Sequence, residues 1–201
     1  MNKRILSIIT AVALTLYAGA VSAQQLSLSQ ISSYLNQLQT VQGGFTQINA
    51  DGTISTGQIY IKRPGRIRFE YNAPSESLVL ASGGQLAIFD ARSNTGPERY
   101  PLNQTPLSII LRENVDLSRE NMVTNVVSDG TTTTVTAQDP DNPNYGSIQL
   151  VFTANPVELR QWIVTDDLGT ETTVILNDLI SGSVIRDILF NIRAETRDRG
   201  N

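Results

Sequence analysis

A single switch of hydrophobic period constrains this chain most. Leu28, Ile31, Leu35 and Leu38 recur at spacings of three, four and three, which is one face of a helix. Ser27 with Gln30 three residues on resembles a capping box, and Gly43-Gly44 is expected to stop the helix. Its other face is Ser, Asn and Gln, so the helix is expected to pack on one side only. Thereafter the period is two. The alternating segments are Gly44–Asn49, Gly57–Lys62, Arg66–Tyr71, Ser77–Ser82, Gln85–Asp90, Val123–Ser128, Thr131–Ala137, Ser147–Phe152, Leu159–Asp166 and Glu171–Leu176. Asp51-Gly52, Pro64-Gly65, Gly83-Gly84, Asp129-Gly130, Asp139–Asn144 and Asp167–Gly169 separate them as turns. Connections this short make neighbouring strands antiparallel. No strand–helix–strand rhythm appears, which argues against a doubly wound fold. The expectation is a mainly β chain: one large antiparallel sheet, strongly curled or nearly closed, with a helix on it.

The stretch from Asp90 to Met122 breaks the rhythm. Thr105-Pro106 reads as an N-cap followed by proline at the first helical position. Leu107, Ile109, Ile110 and Leu111 follow, a helix of about two turns that is apolar nearly all round and must therefore be covered on most sides. The mouth of the curled sheet is the natural place for it. Ser183–Leu189 is expected to add another short helical piece.

The first residues are set apart. Lys3 and Arg4 precede an apolar run from Ile5 to Ala18, and Val21-Ser22-Ala23 is a small-residue cleavage site. Residues 1–23 are thus expected to be a secretory signal peptide, and 24–201 a single domain. The run is too short to span a hydrocarbon core of roughly 30 Å. No Cys follows the cleavage site, so no lipid anchor is expected. Cleavage removes Lys3 and Arg4 and takes the formal charge from −4 to −6. A net acidic chain is a poor candidate for binding nucleic acid or anionic membrane.

Much chemistry is excluded at once. The chain has no Cys and no His. It therefore has no disulfide, no thiolate nucleophile, no Cys/His zinc site and no Ser-His triad. The phosphate-binding signatures GxxxxGK[ST] and GxGxxG are missing, as is the GxSxG elbow. Lys62 is the only lysine after residue 23 and reads as an exposed strand-end residue rather than a base. Asp139-Pro-Asp141-Asn142-Pro-Asn144 carries oxygen ligands, but two prolines intervene and the sixth position, where a calcium loop needs glycine, has none. Asp166-Asp167 is adjacent in a turn and does not face across a cleft. No catalytic residue, metal ligand or cofactor site is assigned.

The informative segment is Lys62-Arg63-Pro64-Gly65-Arg66-Ile67-Arg68-Phe69-Glu70-Tyr71. Ile67, Phe69 and Tyr71 share one face of a strand; Arg66, Arg68 and Glu70 share the other, which reads as a solvated charged face. Only Arg63, just before the turn, is unexplained by a plain hairpin.

This stretch resembles the KRP-x-x-x-R/N-[FW] signature of the LolA family, the periplasmic outer-membrane lipoprotein carriers. Gly44-Phe45-Thr46-Gln47, Asp51-Gly52, Gly57-Gln58, the strand and turn Ser77–Gly83, and Thr105-Pro106-Leu107 with Leu111-Arg112 match in order, from about Leu28 to Leu176. The resemblance implies an unclosed antiparallel barrel, with the helices as a lid over a hydrophobic cavity and no cofactor. It implies a monomeric periplasmic carrier. Such a carrier takes triacylated lipoproteins from an inner-membrane Lol ABC transporter and delivers them to the outer membrane, through the receptor LolB where one exists. Arg63 matches the arginine that latches the lid to backbone carbonyls. Leu35, Ile67, Phe69, Val79, Leu107 and Ile110 match cavity or lid positions. The family often has Trp where this chain has Phe69, and aromatics at Ile67 and Leu107. A lipid-binding or envelope-sensing module of the same fold is the alternative, and an enzyme using carboxylates a third.

Overall fold

The computed structural model describes residues 25–93 and 95–199, so the expected signal peptide lies outside the described residues. Helix α1 spans Leu28–Gln37. Its capping box is formed: Ser27 Oγ accepts from the Gln30 amide and the Gln30 side chain accepts from the Ser27 amide. The strands are β1 Thr40–Ile48, β2 Ile54–Lys62, β3 Ile67–Tyr71, β4 Leu78–Ser82, β5 Gln85–Phe89 and β6 Glu98–Pro101. Helix α2, Leu107–Leu111, precedes β7 Val123–Ser128, β8 Thr132–Gln138, β9 Ser147–Ala154, β10 Val157–Thr165 and β11 Glu171–Ser181. A 3₁₀ turn at Asp187–Phe190 and helix α3, Ile192–Arg199, follow.

All ten expected strands are present, and β6 is an eleventh. It escapes a pattern reading because Glu-Arg-Tyr-Pro has no alternation and all four residues are exposed. The helical piece expected at Ser183–Leu189 falls later, at Asp187–Phe190 and Ile192–Arg199. Gly43-Gly44 does not stop α1, which ends at Gln37; the pair lies inside β1, where the register with β11 shifts between Gln42 and Gly44. A Cβ on Gly43 would lie 2.7 Å from the Asn177 carbonyl oxygen, so close strand approach explains that glycine. Thr105 does not cap α2 with its hydroxyl, which instead donates to the Leu102 carbonyl.

The strands form one antiparallel sheet in the order β6-β5-β4-β3-β2-β1-β11-β10-β9-β8-β7. Among the described residues β6 and β7 stand at the two edges without pairing to each other, so the sheet is not closed. Its curl is nonetheless strong. Phe69 on β3 and Trp162 on β10 are separated by β2, β1 and β11, yet their rings meet edge-on at 6.2 Å. Only a sheet wrapped onto itself brings such residues together. The concave face carries the core: Phe45, Ile59, Ile67, Phe69, Val135, Ile148, Leu150, Phe152, Trp162 and Leu176 are all buried in one cluster. At its centre Phe45 packs edge-on to Phe69 and Tyr71, at 5.2 and 5.1 Å. Gly57 makes the room: a Cβ there would meet Phe45 Cε1 at 2.6 Å and the Glu70 carbonyl oxygen at 2.0 Å.

The convex face of β3–β5 is covered too. Leu78, Leu80, Ala87 and Phe89 pack against Ile185, Phe190 and Ile192 in a second cluster. This corrects the solvated face expected of β3. Arg68 is buried, donating to Glu70 Oε1 at 2.6 Å, to Glu195 Oε1 at 2.7 Å and to the Leu189 carbonyl at 2.8 Å. Lys62 and Arg66 both reach Asp187 Oδ1, at 2.7 and 2.8 Å. The hydrogen bond and charge of Lys62, then Arg66, hold the Asp187 carboxyl below its ordinary range.

Two predictions arise. Gly57→Ala is expected to lower stability by about 1–3 kcal/mol in urea unfolding, through overpacking against Phe45 and β3. The depressed Asp187 pKa gives stability that is present above the ordinary carboxylate range and lost as pH falls through the folded value. Amide exchange in residues 186–191 is therefore expected to speed up in acid, and Asp187→Asn to remove that acid dependence.

Candidate functional site

The site is built around the β2–β3 turn. Lys62 N–H donates to the Arg66 carbonyl at 3.0 Å, and Gly65 takes the φ of 68° that a turn this tight requires. The Arg63–Pro64 peptide bond is cis. From this turn, donors reach the C-terminal ends of both α1 and α2. The Arg63 backbone N–H donates to the Gln39 carbonyl and the Gly65 N–H to the Leu111 carbonyl, each at 2.8 Å. The Arg63 guanidinium donates through Nη1 to the Leu35 carbonyl and through Nη2 and Nε to that of Arg112. Nη2 also reaches the Glu113 carbonyl at 3.3 Å and Asn36 Oδ1 at 3.2 Å.

The last turn of a helix leaves carbonyl oxygens without partners and carries partial negative charge. One planar cation placed between two such ends satisfies both. Arg63 is 6% exposed, and burial pulls its pKa down from the ordinary arginine value. A guanidinium stays charged in such surroundings.

Two residues on the polar face of α1 complete the arrangement. Asn36 clamps the Val115 backbone, with Nδ2 donating to its carbonyl and Oδ1 accepting from its N–H, both at 2.9 Å. Ser32 Oγ accepts from the Leu117 N–H at 3.0 Å. Helix α1 is therefore docked on two sides, not one as its amphipathic pattern implied. Ser32 and Asn36 are four apart and share a face; that spacing was the available signal. The Tyr34 hydroxyl ties α1 to β10 by accepting from the Leu159 N–H at 3.0 Å. Arg112 Nη2 meets Asp139 Oδ2 at 3.0 Å, joining the end of α2 to the β8–β9 loop.

The residues singled out in the sequence converge beneath this arrangement. Leu35, Ile67, Phe69 and Ile110 are 3%, 0%, 4% and 5% exposed and belong to the concave core; Val79 and Leu107 are partly buried against it. Strand β4 is apolar on both faces, and the structure separates them. Val79 pairs with Phe69 on the inner side, while Leu78 and Leu80 face outward. These side chains belong to or pack against one buried cluster. Tyr71, at its edge, donates to Gln47 Oε1 at 2.6 Å, and burial pushes its hydroxyl up to about 12. Leu107 also borders an apolar groove of about 630 Å³ with Leu86, Ile88, Tyr100, Val164 and Leu168.

A turn that gathers two helices over an apolar half-barrel coincides with the segment that carried the resemblance. The model of the outer membrane lipoprotein carrier protein LolA family matches residues 36–193. The chain belongs to the LolA family. Relatives from Coxiella burnetii (strain CbuK_Q154), 25% identical across 88% of this chain and 87% of theirs, are named outer-membrane lipoprotein carrier protein. So are those of Pseudomonas aeruginosa, 23% identical across 76% of each chain. Among solved structures, a LolA superfamily protein from Nitrosomonas europaea is 13% identical, covering 83% of this chain and 98% of its own, at a TM-score of 0.45. LolA membership accounts for the ordered set of turns and strands. Among the described residues no helix is long and apolar enough to cross a membrane.

Asn36→Ala leaves the Val115 N–H and carbonyl without their partner. It is expected to cost about 1–3 kcal/mol in urea unfolding and to speed amide exchange at Val115 and Leu117.

Proposed function

We propose that the protein is a periplasmic carrier of acylated lipoproteins. It accepts triacylated cargo from an inner-membrane Lol ABC transporter, shelters the chains under α1 and α2, and delivers them to the outer membrane, through LolB where that receptor is present. It acts as a monomer and without a cofactor. The observation that carries this reading is the latch. Arg63 joins two helical covers over an apolar interior through oxygens that belong entirely to the covers.

The energetics support such a device. Acyl burial is worth about 0.8 kcal/mol per CH₂, so three chains of roughly sixteen carbons represent on the order of 40 kcal/mol of gross transfer energy. A soluble chain with no nucleotide site cannot supply that, so the transporter drives extraction and the carrier shelters the chains only partially. The Arg63 contacts, as hydrogen bonds to a charged group, are worth about 1.5–3 kcal/mol each. They suffice to close the empty covers and hide the apolar lining, and they yield to an acyl chain. Leu35, Ile67, Phe69, Val79, Leu107 and Ile110 then become the chain-contacting surface.

The test is to incubate the mature protein with inner-membrane vesicles that contain a labelled outer-membrane lipoprotein. The label is expected to leave as a one-to-one soluble complex only when both ATP and the protein are present. No release, with fatty-acyl binding retained, would overturn carriage and leave a lipid-binding module of the same fold. Arg63→Leu is expected to raise binding of a hydrophobic dye and to impair onward release; if neither changes, Arg63 is not a latch.

A further inference from the structure

Among the described residues two arginines are buried, and they are compensated differently. Arg68 faces two carboxylates, Glu70 and Glu195. Arg63 belongs to none of the ion pairs among the described residues, and every oxygen it holds is a neutral carbonyl or amide oxygen. The helix-end carbonyls stand in for a counter-ion because they carry partial negative charge. That arrangement is complete only while the covers are shut, since Leu35, Asn36, Arg112 and Glu113 all belong to them.

When the covers lift, the guanidinium keeps its charge and loses its oxygens. A cation beside an apolar interior is costly without a partner. The apolar wall begins close by: Ile61, two residues back on β2, is buried and pairs with Ile67. A fixed cation at the rim of an apolar chamber has the layout that recognises a long chain ending in an anion. The planar fork of arginine also matches a carboxylate with two parallel hydrogen bonds.

We propose that Arg63 makes the opened interior selective for single-chain amphiphiles with an anionic head, namely long-chain carboxylates. The ligand's carboxylate accepts from Nη1 and Nη2 in place of the Leu35 and Arg112 carbonyls. This rests on the reading that α1 and α2 open over the core. It adds a ligand class that needs no lipoprotein and would compete with one.

The experiment compares palmitate with methyl palmitate, which share a chain and differ in charge, as displacers of a fluorescent fatty-acyl probe from the mature protein. Both are used below their aggregation thresholds. Palmitate is expected to bind roughly tenfold or more tighter, the lower end of what a charge-assisted bidentate contact supplies. Arg63→Met is expected to abolish the preference, acid and ester then binding alike, and to bind methyl palmitate at least as tightly as the unaltered protein does, because the covers are no longer latched. Arg63→Lys keeps the charge without the fork and is expected to retain part of it. Arg99→Gln, at an exposed arginine whose side chain donates to Thr196, is expected to change nothing. Equal affinity of acid and ester for the unaltered protein would overturn the proposal whatever the variants do, as would a preference that survives in Arg63→Met. Loss of ATP-dependent lipoprotein release with the preference intact would instead remove the carrier reading alone.

Discussion

The structure depends on a cation placed between two helix ends. Helices α1 and α2 are short, ten and five residues, and neither would hold its conformation alone. Each terminates in carbonyls that carry partial negative charge over an apolar surface. The β2–β3 turn adds donors to those ends from two backbone N–H groups and one guanidinium. The sheet below fixes where that turn stands, so the helices are positioned by the rim of the half-barrel as much as by packing on its floor. Apart from the bond to Asn36 Oδ1, these bonds run to backbone oxygens, so most other side chains of the covers do not enter the latch.

Much of this was legible in the residues. The change from a helical to a two-residue period, with a turn signal between nearly every pair of segments, was enough for the antiparallel sheet and its first helix. Arg63 stood out because a plain hairpin explained its neighbours and not itself. What the pattern hid was anything that depends on a third partner. Ser32 and Asn36 looked like the wet side of a helix until the 112–117 segment came down on them. Arg68 and Glu70 looked solvated until the C-terminal segment covered them. The doubly apolar strand Leu78–Ala81 was the clue that the sheet is covered on both faces, but alternation alone does not say what does the covering. Strand β6 left no trace, because an exposed edge strand needs no buried side chain.

The two faces of β3 share one physical plan. Inward, Ile67 and Phe69 join the core; outward, Arg66, Arg68 and Glu70 engage the C-terminal segment by charge. An apolar contact between sheet and cover is indifferent to register, whereas ion pairs at Asp187 and Glu195 accept only one. The outer cover is thus held by ion pairs as well as packing, and the inner one by hydrogen bonds around Arg63, Asn36 and Tyr34.

The sheet order also dictates how the chain must assemble. Strands β1 to β6 run as one meander and β11 to β7 as another, each built from neighbours in sequence. The seam between them joins Val41 to Ser181 and Ile48 to Thr173, across more than a hundred residues. Closing a loop of that length is the slow event in a fold otherwise made of local hairpins. The two meanders can form as soon as their own residues are free, but the concave core, and the floor on which α1 and α2 rest, exist only once β11 is in place. The interior therefore cannot be complete until almost the whole chain, through β11, is available.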